Sequence, residues 1–212
     1  MIRLHDYWRS TAAYRVRLAL KLKGLDFEQT THDLLAGEQR ADSYLKLNPQ
    51  GLVPAIEIEG GALVQSPAIL EWLEERYPEP PLLPPDLSER AIVRAMAALI
   101  GCDIHPLNNL RVLTAIREEF DATNPQVKAW IWRWITAGFD ALETMIATHG
   151  KGFAFGDRPT LADCYIVPQV YSARRYRLDL TPYPAIVAVE ARANELPLFA
   201  AAHPDRQPGA KP

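Results

Sequence analysis

Two stretches of this sequence, Arg9-Ser10-Thr11-Ala12-Ala13 and Gln65-Ser66-Pro67, place hydroxyl and amide side chains where a helix would begin. The chemistry they suit is the holding of an anion. The first backbone N–H groups of a helix have no intrahelical acceptor, and the helix dipole adds a partial positive charge. A phosphate, carboxylate or thiolate is stabilised there. Arg9 and Arg15 flank the hydroxyls of Ser10 and Thr11. A plainer role is also open to either hydroxyl, that of capping the helix. Between the two stretches, Val53-Pro54 puts a proline at the start of a strand. A cis bond there leaves the Val53 N–H and C=O facing outward, where an extended peptide can pair with them. One capped helix is ordinary, whereas two beside an exposed strand edge suggest a peptide-carboxylate site.

Further along, "CDIHPLNNLRVL" sets His105, Asn109 and Arg111 at helical spacings around a helix-distorting proline. They suit either a ligand-facing surface or a solvated one. "SARRYR" offers Arg174, Arg175 and Arg177. A fixed guanidinium binds a carboxylate through two hydrogen bonds, so inward arginines favour a dianionic ligand. "WIWRWI" reads as core packing, because Trp130 and Trp134 share a helical face at i and i+4.

The elements that must position these residues follow from periodicity. "IRLHDY" alternates like a strand, and "YRVRLALKLKG" is a helix from about Ala13 to Lys23 with Gly24 as its C-terminal stop. "LDFEQTTHDL" is a second strand, parallel to the first across that helix. "LVPAIEIEGGALV" is a hairpin turning at "EGG", and Ser66 and Pro67 open the next helix as N-cap and N1. The order β-α-β then β-β-α is that of a thioredoxin-like α/β domain. Such a domain keeps redox cysteines at the mouth of its first helix, yet here the position holds Ser10 to Ala13 and no thiol. Five prolines within residues 78–87 end the pattern and mark a linker. Beyond it the periodicity is wholly helical. Helices start at Ser88, at Asn124-Pro125 and at the capping box Thr160-Leu161-Ala162-Asp163, and a last one lies near "AIVAVEARANEL". The expected division is a first domain over residues 1–78, a linker over 79–87 and an all-α domain over 88–212.

A net charge of -3 gives no bulk attraction for nucleic acid or an anionic membrane, so any anion site must be local. No stretch approaches 18 uninterrupted apolar residues and no cleavable leader is legible, which points to a cytoplasmic protein. Cys102 and Cys164, far apart and without metal or redox spacing, are expected to be reduced and inert.

With "RSTAAYRVRLALKLKG", "LNPQGLVPAI", "QSPAILEWLEE", "TLADCYIVPQV" and "LDLTPYP" in this order, the sequence resembles the zeta class of the glutathione transferase family over nearly its whole length. The resemblance implies that family's fold, a thioredoxin-like domain followed by an all-α domain, in a homodimer with small-molecule ligands and reduced glutathione as cofactor. The implied activity is the cis–trans isomerisation of a maleyl diketo acid, maleylacetoacetate or maleylpyruvate, in aromatic catabolism, with "GCDIHPLNNLRVL" leaning toward the maleylpyruvate branch. The same likeness makes Ser10 the hydroxyl that stabilises the glutathione thiolate, with Thr11 and Ala12 lining the sulfur. Gln39, Val53, Gln65 and Ser66 would hold the tripeptide, while His105, Asn109 and Arg111 would contact glutathione and substrate. Arg9 and Arg175 would take the substrate carboxylates. The class often reads S-S-C-S-W-R, and Ala12 replaces that cysteine, which removes a protein thiol from this position; the resemblance implies that the catalytic sulfur is glutathione's. Two other readings remain: conjugation or dehalogenation of small electrophilic acids, and a non-catalytic binding module that keeps the fold.

Overall fold

The structure, a computed structural model, describes residues 1–211. Its chain divides into two compact units, one of Met1–Leu82 with the segment from Asn194 onward, the other of Leu83–Ala193. No helix among the described residues is long and apolar enough to cross a membrane.

In the first unit, β1 (Ile2–Asp6), β2 (Phe27–Thr31), β3 (Ala55–Ile58) and β4 (Gly61–Val64) form one sheet in the order β2-β1-β3-β4. β1 and β2 run parallel, while β3 is antiparallel to both β1 and β4. The connection from β1 to β2 is α1 (Thr11–Leu22), whose residues Thr11 to Leu20 are all buried. It is covered by α3 (Ser66–Arg76) and by α9 (Pro197–Ala202), which returns from the chain's C-terminal end. α1 ends where Gly24 takes a left-handed conformation. The Gly24 N–H donates to the Lys21 carbonyl and the Leu25 N–H to that of Leu20, a Schellman closure. α2 (Asp42–Leu45) is a single turn in the long connection to β3.

Three helix starts differ from the sequence reading, the first being α1, which begins at Thr11 and not near Ala13 because Ser10 caps it. Gln65 and not Ser66 holds the N-cap position of α3, because the positive-φ backbone of Gln65 (φ 69°) already turns the chain into the helix and makes Ser66 its first residue. In the second unit, α4 (Leu87–Ala98) begins one residue before Ser88, because the Asp86 carboxylate takes the N–H groups of both Ser88 and Glu89. α4 runs on as a π-turn over Leu99–Ile104, then a 3-10 turn over Pro106–Asn108, then α5 (Leu110–Phe120). Against these packs α6 (Asn124–His149), where Gly138 meets Ile104 so closely that a Cβ there would lie 2.3 Å from Cδ1. Trp130 and Trp134 stack edge to face at 5.5 Å but are only half-buried, outside the core, and the Trp130 indole donates to the Leu107 carbonyl (2.9 Å). α7 (Leu161–Arg175) opens with the expected capping box. Asp163 accepts from the Thr160 N–H (2.7 Å) and hydroxyl (2.9 Å) and from the Ala154 N–H (2.9 Å). α8 (Pro184–Asn194) completes the helices, and the Arg174 guanidinium pairs with Glu190 on it.

The C-terminal segment is the main departure from sequence order. Residues from Asn194 group with the first unit because Arg17 donates to the Ala202 carbonyl, Gln29 donates to Gln207, and His203 packs edge-on to Tyr14.

Candidate active site

Sheet topology gathers the predicted residues of the first unit. β1 and β2 are parallel, so both finish at the same edge. There β1 feeds the Tyr7–Ser10 turn into α1, and β2 feeds the connection that holds Gln39. His5 pairs with Ala55, so β3 starts at that edge, immediately after Val53-Pro54. Ala55 pairs with Val64, so β4 ends there and hands the chain to Gln65 and Ser66. Ser10, Gln39, Val53, Gln65 and Ser66 therefore share one end of one sheet, although 56 positions separate Ser10 from Ser66.

Ser10 is the N-cap of α1. Its backbone N–H donates to the Tyr7 carbonyl (2.9 Å), and its Oγ accepts from the Ala13 N–H (3.2 Å). That bond uses a lone pair and leaves the hydroxyl hydrogen able to donate elsewhere. The capping role and the anion-binding role are thus compatible. Thr11 and Ala12, both buried, make the first turn of the helix. Ala12 is small beside Ser10, and neither cysteine of the chain is in this unit: Cys102 is exposed and Cys164 buried, and neither is in a disulfide.

The Val53-Pro54 bond is cis. Val53 packs with Tyr7, Trp8, Tyr44 and Ala55 in an apolar cluster, and its backbone makes no hydrogen bond to the described residues. Tyr44 and Asn48 hold the preceding residue, both donating to the Leu52 carbonyl (2.6 and 2.7 Å). Burial pushes the Tyr44 phenol up to about 12, so it stays a donor at every physiological pH. Gly51 is required for this turn to form: its φ is +59°, and a Cβ would sit 2.9 Å from the Gln39 carbonyl oxygen. Gln39 is carried on that close approach, and its side-chain oxygen is buried without a hydrogen-bond partner. Such an acceptor is unstable against an apolar background and asks for a donor.

At the mouth of α3, no side chain caps the helix. The Gln65 amide donates to Gln50 (2.5 Å), and the buried Ser66 hydroxyl accepts from Nη1 of Arg15 (3.3 Å). A uncapped helix start with a guanidinium behind its hydroxyl attracts a carboxylate. Gln65 is one of three non-glycine residues at positive φ among the described residues, a conformation that costs energy and recurs at ligand clamps. The Arg9 guanidinium lies over the Trp8 ring at 5.3 Å.

In the helical unit the expected helical spacing of His105, Asn109 and Arg111 is broken. His105 closes the π-turn, the 3-10 turn at Pro106 intervenes, and Asn109 restarts the chain as N-cap of α5, accepting from the Arg111 N–H (3.2 Å). The three residues sit on successive short segments and not on one helix, because Pro106 cannot continue the hydrogen-bond ladder. At the end of α7, Arg175 is exposed, stacked over Tyr176 at 4.6 Å and donating to its hydroxyl (2.9 Å), whereas Arg174 is committed to Glu190. Among the described residues no group of histidine, cysteine and carboxylate side chains could hold a metal ion.

What the sequence reading missed is the underside of the first turn. Asp6 and Arg17, both buried, form an ion pair in which Nη1 alone donates to both carboxylate oxygens, while Nη2 donates to the Trp8 carbonyl of the Tyr7–Ser10 turn. The available signal was a pair of arginines, two positions apart, in an otherwise apolar helix.

Residues 4–81 match the family model for the glutathione S-transferase N-terminal domain, and residues 132–192 match that for its C-terminal domain. The chain is 51% identical over 209 residues to a maleylpyruvate isomerase of a Ralstonia species, covering 98% of this chain and 99% of that protein. A holo structure described as maleyl pyruvate isomerase, a bacterial zeta-class glutathione S-transferase, superposes with a TM-score of 0.97 at 50% identity, covering 99% of this chain and all of that one. The maleylacetoacetate isomerase of Anaeromyxobacter dehalogenans, solved with glutathione in its active site, gives a TM-score of 0.90 at 49% identity over 100% of this chain and 98% of that one.

Proposed function

The chain belongs to the glutathione S-transferase family, and from that premise we propose that it catalyses the glutathione-dependent cis–trans isomerisation of a maleyl diketo acid, maleylacetoacetate or maleylpyruvate. The observation that carries this reading is the mouth of α1. There a serine caps the helix through its oxygen and retains a hydroxyl hydrogen for an incoming anion, while the chain has no cysteine in that unit to be the nucleophile.

The residues present fit glutathione, as the unpartnered Gln39 oxygen, the unpaired Val53 backbone and the uncapped α3 start are three places that want a peptide's donors, acceptors and carboxylate. Glutathione, when held there, would supply a thiolate nucleophile suited to reversible conjugate addition, the chemistry that relieves the barrier to cis–trans rotation. The chain's own contribution is to keep that sulfur ionised. A free cysteine thiol has a pKa of about 8.5, and a hydroxyl donor at a helix N-terminus lowers it by favouring the anion. Ser10 is the donor, Thr11 and Ala12 flank the sulfur, and the backbone of Val53 pairs with the tripeptide. Gln65 and Ser66 take its γ-glutamyl carboxylate, with Arg15 supplying charge through Ser66. Arg9 is assigned to a substrate carboxylate. In the helical unit, Arg175 is assigned to the other carboxylate and His105, Asn109 and Arg111 to glutathione and substrate. A homodimer in the cytoplasm, and a division into domains at the proline-rich linker 79–87, belong to the same reading.

The test is to follow the maleyl diketo-acid absorbance with each of the two substrates, with and without glutathione. Isomerisation to the fumaryl isomer that requires glutathione is expected with at least one of them. Isomerisation at the same rate without glutathione, or none with either substrate, overturns the reading.

A further inference from the structure

Arg17 is fully buried and spends its guanidinium on three separate parts of the chain. Nη1 donates to both oxygens of Asp6 (2.8 and 2.7 Å), Nη2 to the Trp8 carbonyl (3.1 Å) and Nε to the Ala202 carbonyl (3.1 Å). Asp6 is held from its other side by the Gln29 amide (3.0 Å), which also donates to Gln207 (3.1 Å). The carbonyl of Trp8 belongs to the peptide plane that leads into Arg9 and Ser10. Holding that plane through the Trp8 carbonyl, while the Ser10 N–H closes on the Tyr7 carbonyl, restricts the turn at two of its peptide units.

We propose that Arg17 is a positioning residue for the thiolate site, clamping the end of β1, the Trp8–Ser10 turn and the C-terminal helix α9 so that the Ser10 hydroxyl is held where the glutathione sulfur binds. This rests on the glutathione reading above. The residue type is demanded by the geometry. A planar fork with donors on three nitrogens spans three acceptors at once, whereas a lysine ammonium satisfies the Asp6 charge but cannot reach Trp8 and Ala202 together. The buried network is stiff because its hydrogen bonds act in a low-dielectric surrounding, and a displacement of about 1 Å in a catalytic group costs on the order of a hundredfold in rate. The C-terminal segment is on this account part of the support of a site nearly two hundred residues earlier in the chain.

The experiment uses the full-length chain in three forms: wild type, Arg17→Lys and Gln29→Met. The ultraviolet absorbance of the bound glutathione thiolate is titrated against pH, and kcat and KM are measured across the same range. Arg17→Lys is expected to raise the thiol midpoint by about one unit, leaving about tenfold less thiolate at pH values well below both midpoints. Its kcat falls accordingly and recovers above the new midpoint, with KM for glutathione changed by less than about threefold. Gln29→Met, which loosens only the support of Asp6, shifts the midpoint in the same direction by less. Wild-type midpoints in both variants, whatever their melting temperatures, overturn the inference. If Arg17→Lys does not fold, a wild-type midpoint in Gln29→Met alone overturns it. A wild-type protein whose bound glutathione titrates like free glutathione overturns the functional reading, a result that needs no variant and is thereby told apart.

Discussion

Replacing Ser10 with alanine removes two things that the structure combines in one hydroxyl. The first is the cap: the Ala13 N–H loses its acceptor at 3.2 Å, a change that costs about 1 kcal/mol and, for a chain of this size, lowers the melting temperature by roughly 2–4 °C. The second is the donor to the sulfur. Losing one preorganised donor to a stored or developing anion costs about 10- to 1000-fold in turnover, and the bound thiol's pKa should climb back toward about 8.5. Two companion variants separate the roles. Ser10→Thr keeps both the cap and the donor, and should retain activity as far as its extra methyl fits. Ser10→Asp keeps a good cap but sets a negative charge against the thiolate, and should be stable and nearly inactive. The assay is single-substrate isomerisation at saturating glutathione, with thermal melting and titration of the bound thiol on the same samples. Ser10→Ala with near wild-type turnover and an unmoved thiol midpoint would refute the argument, and would leave Ser10 as a helix cap alone.

Three other perturbations have outcomes set by geometry. Arg175→Ala should lower kcat/KM for the dicarboxylate substrates by at least about tenfold, the scale of one charge-assisted bidentate contact, while leaving thiol titration unchanged; an unaltered kcat/KM removes Arg175 from that role. Gly138→Ala drives a methyl to within 2.3 Å of Ile104, and should cost about 1–3 kcal/mol of stability in denaturant titration, with a loss under about 0.5 kcal/mol contradicting the packing described for α6. Burial pushes the Asp163 carboxyl up to about 6 even against its three donors. A folded pKa above the ordinary 3.8 means the native state binds the proton more tightly. Its stabilisation is fully present below about pH 3.8 and is lost as pH rises through about 6, an effect of order 3 kcal/mol by linkage. Asp163→Asn cannot titrate, so its stability deficit against wild type should be larger near pH 4.5 than at pH 7, and a deficit independent of pH would show that Asp163 titrates at an ordinary value.

The legible part of the site was the part governed by local rules. Helix mouths announce themselves through short polar side chains before apolar periodicity, which is why Ser10 and the Thr160–Asp163 box could be placed in advance. The proline before β3 likewise restricted the chain locally, and the cis Val53-Pro54 bond that the sequence left open is present. Reading failed where a local rule had a competitor. Ser66 looks like an N-cap, but the positive-φ Gln65 before it takes the position. His105, Asn109 and Arg111 have helical spacing in the sequence, but Pro106 breaks the ladder between them.

The sequence by itself determined the order of the four strands, the caps at Ser10 and Thr160 and the absence of a thiol at the first turn, because each depends on residues within a few positions of one another. Only the tertiary structure decided how that turn is held. Asp6, Trp8, Arg17 and Ala202 meet through hydrogen bonds that span up to 185 positions, and a buried guanidinium has no periodicity by which a sequence could name its partners. Its acceptors are main-chain carbonyls as well as a carboxylate, so the side chains at two of the three contacts carry no trace of it.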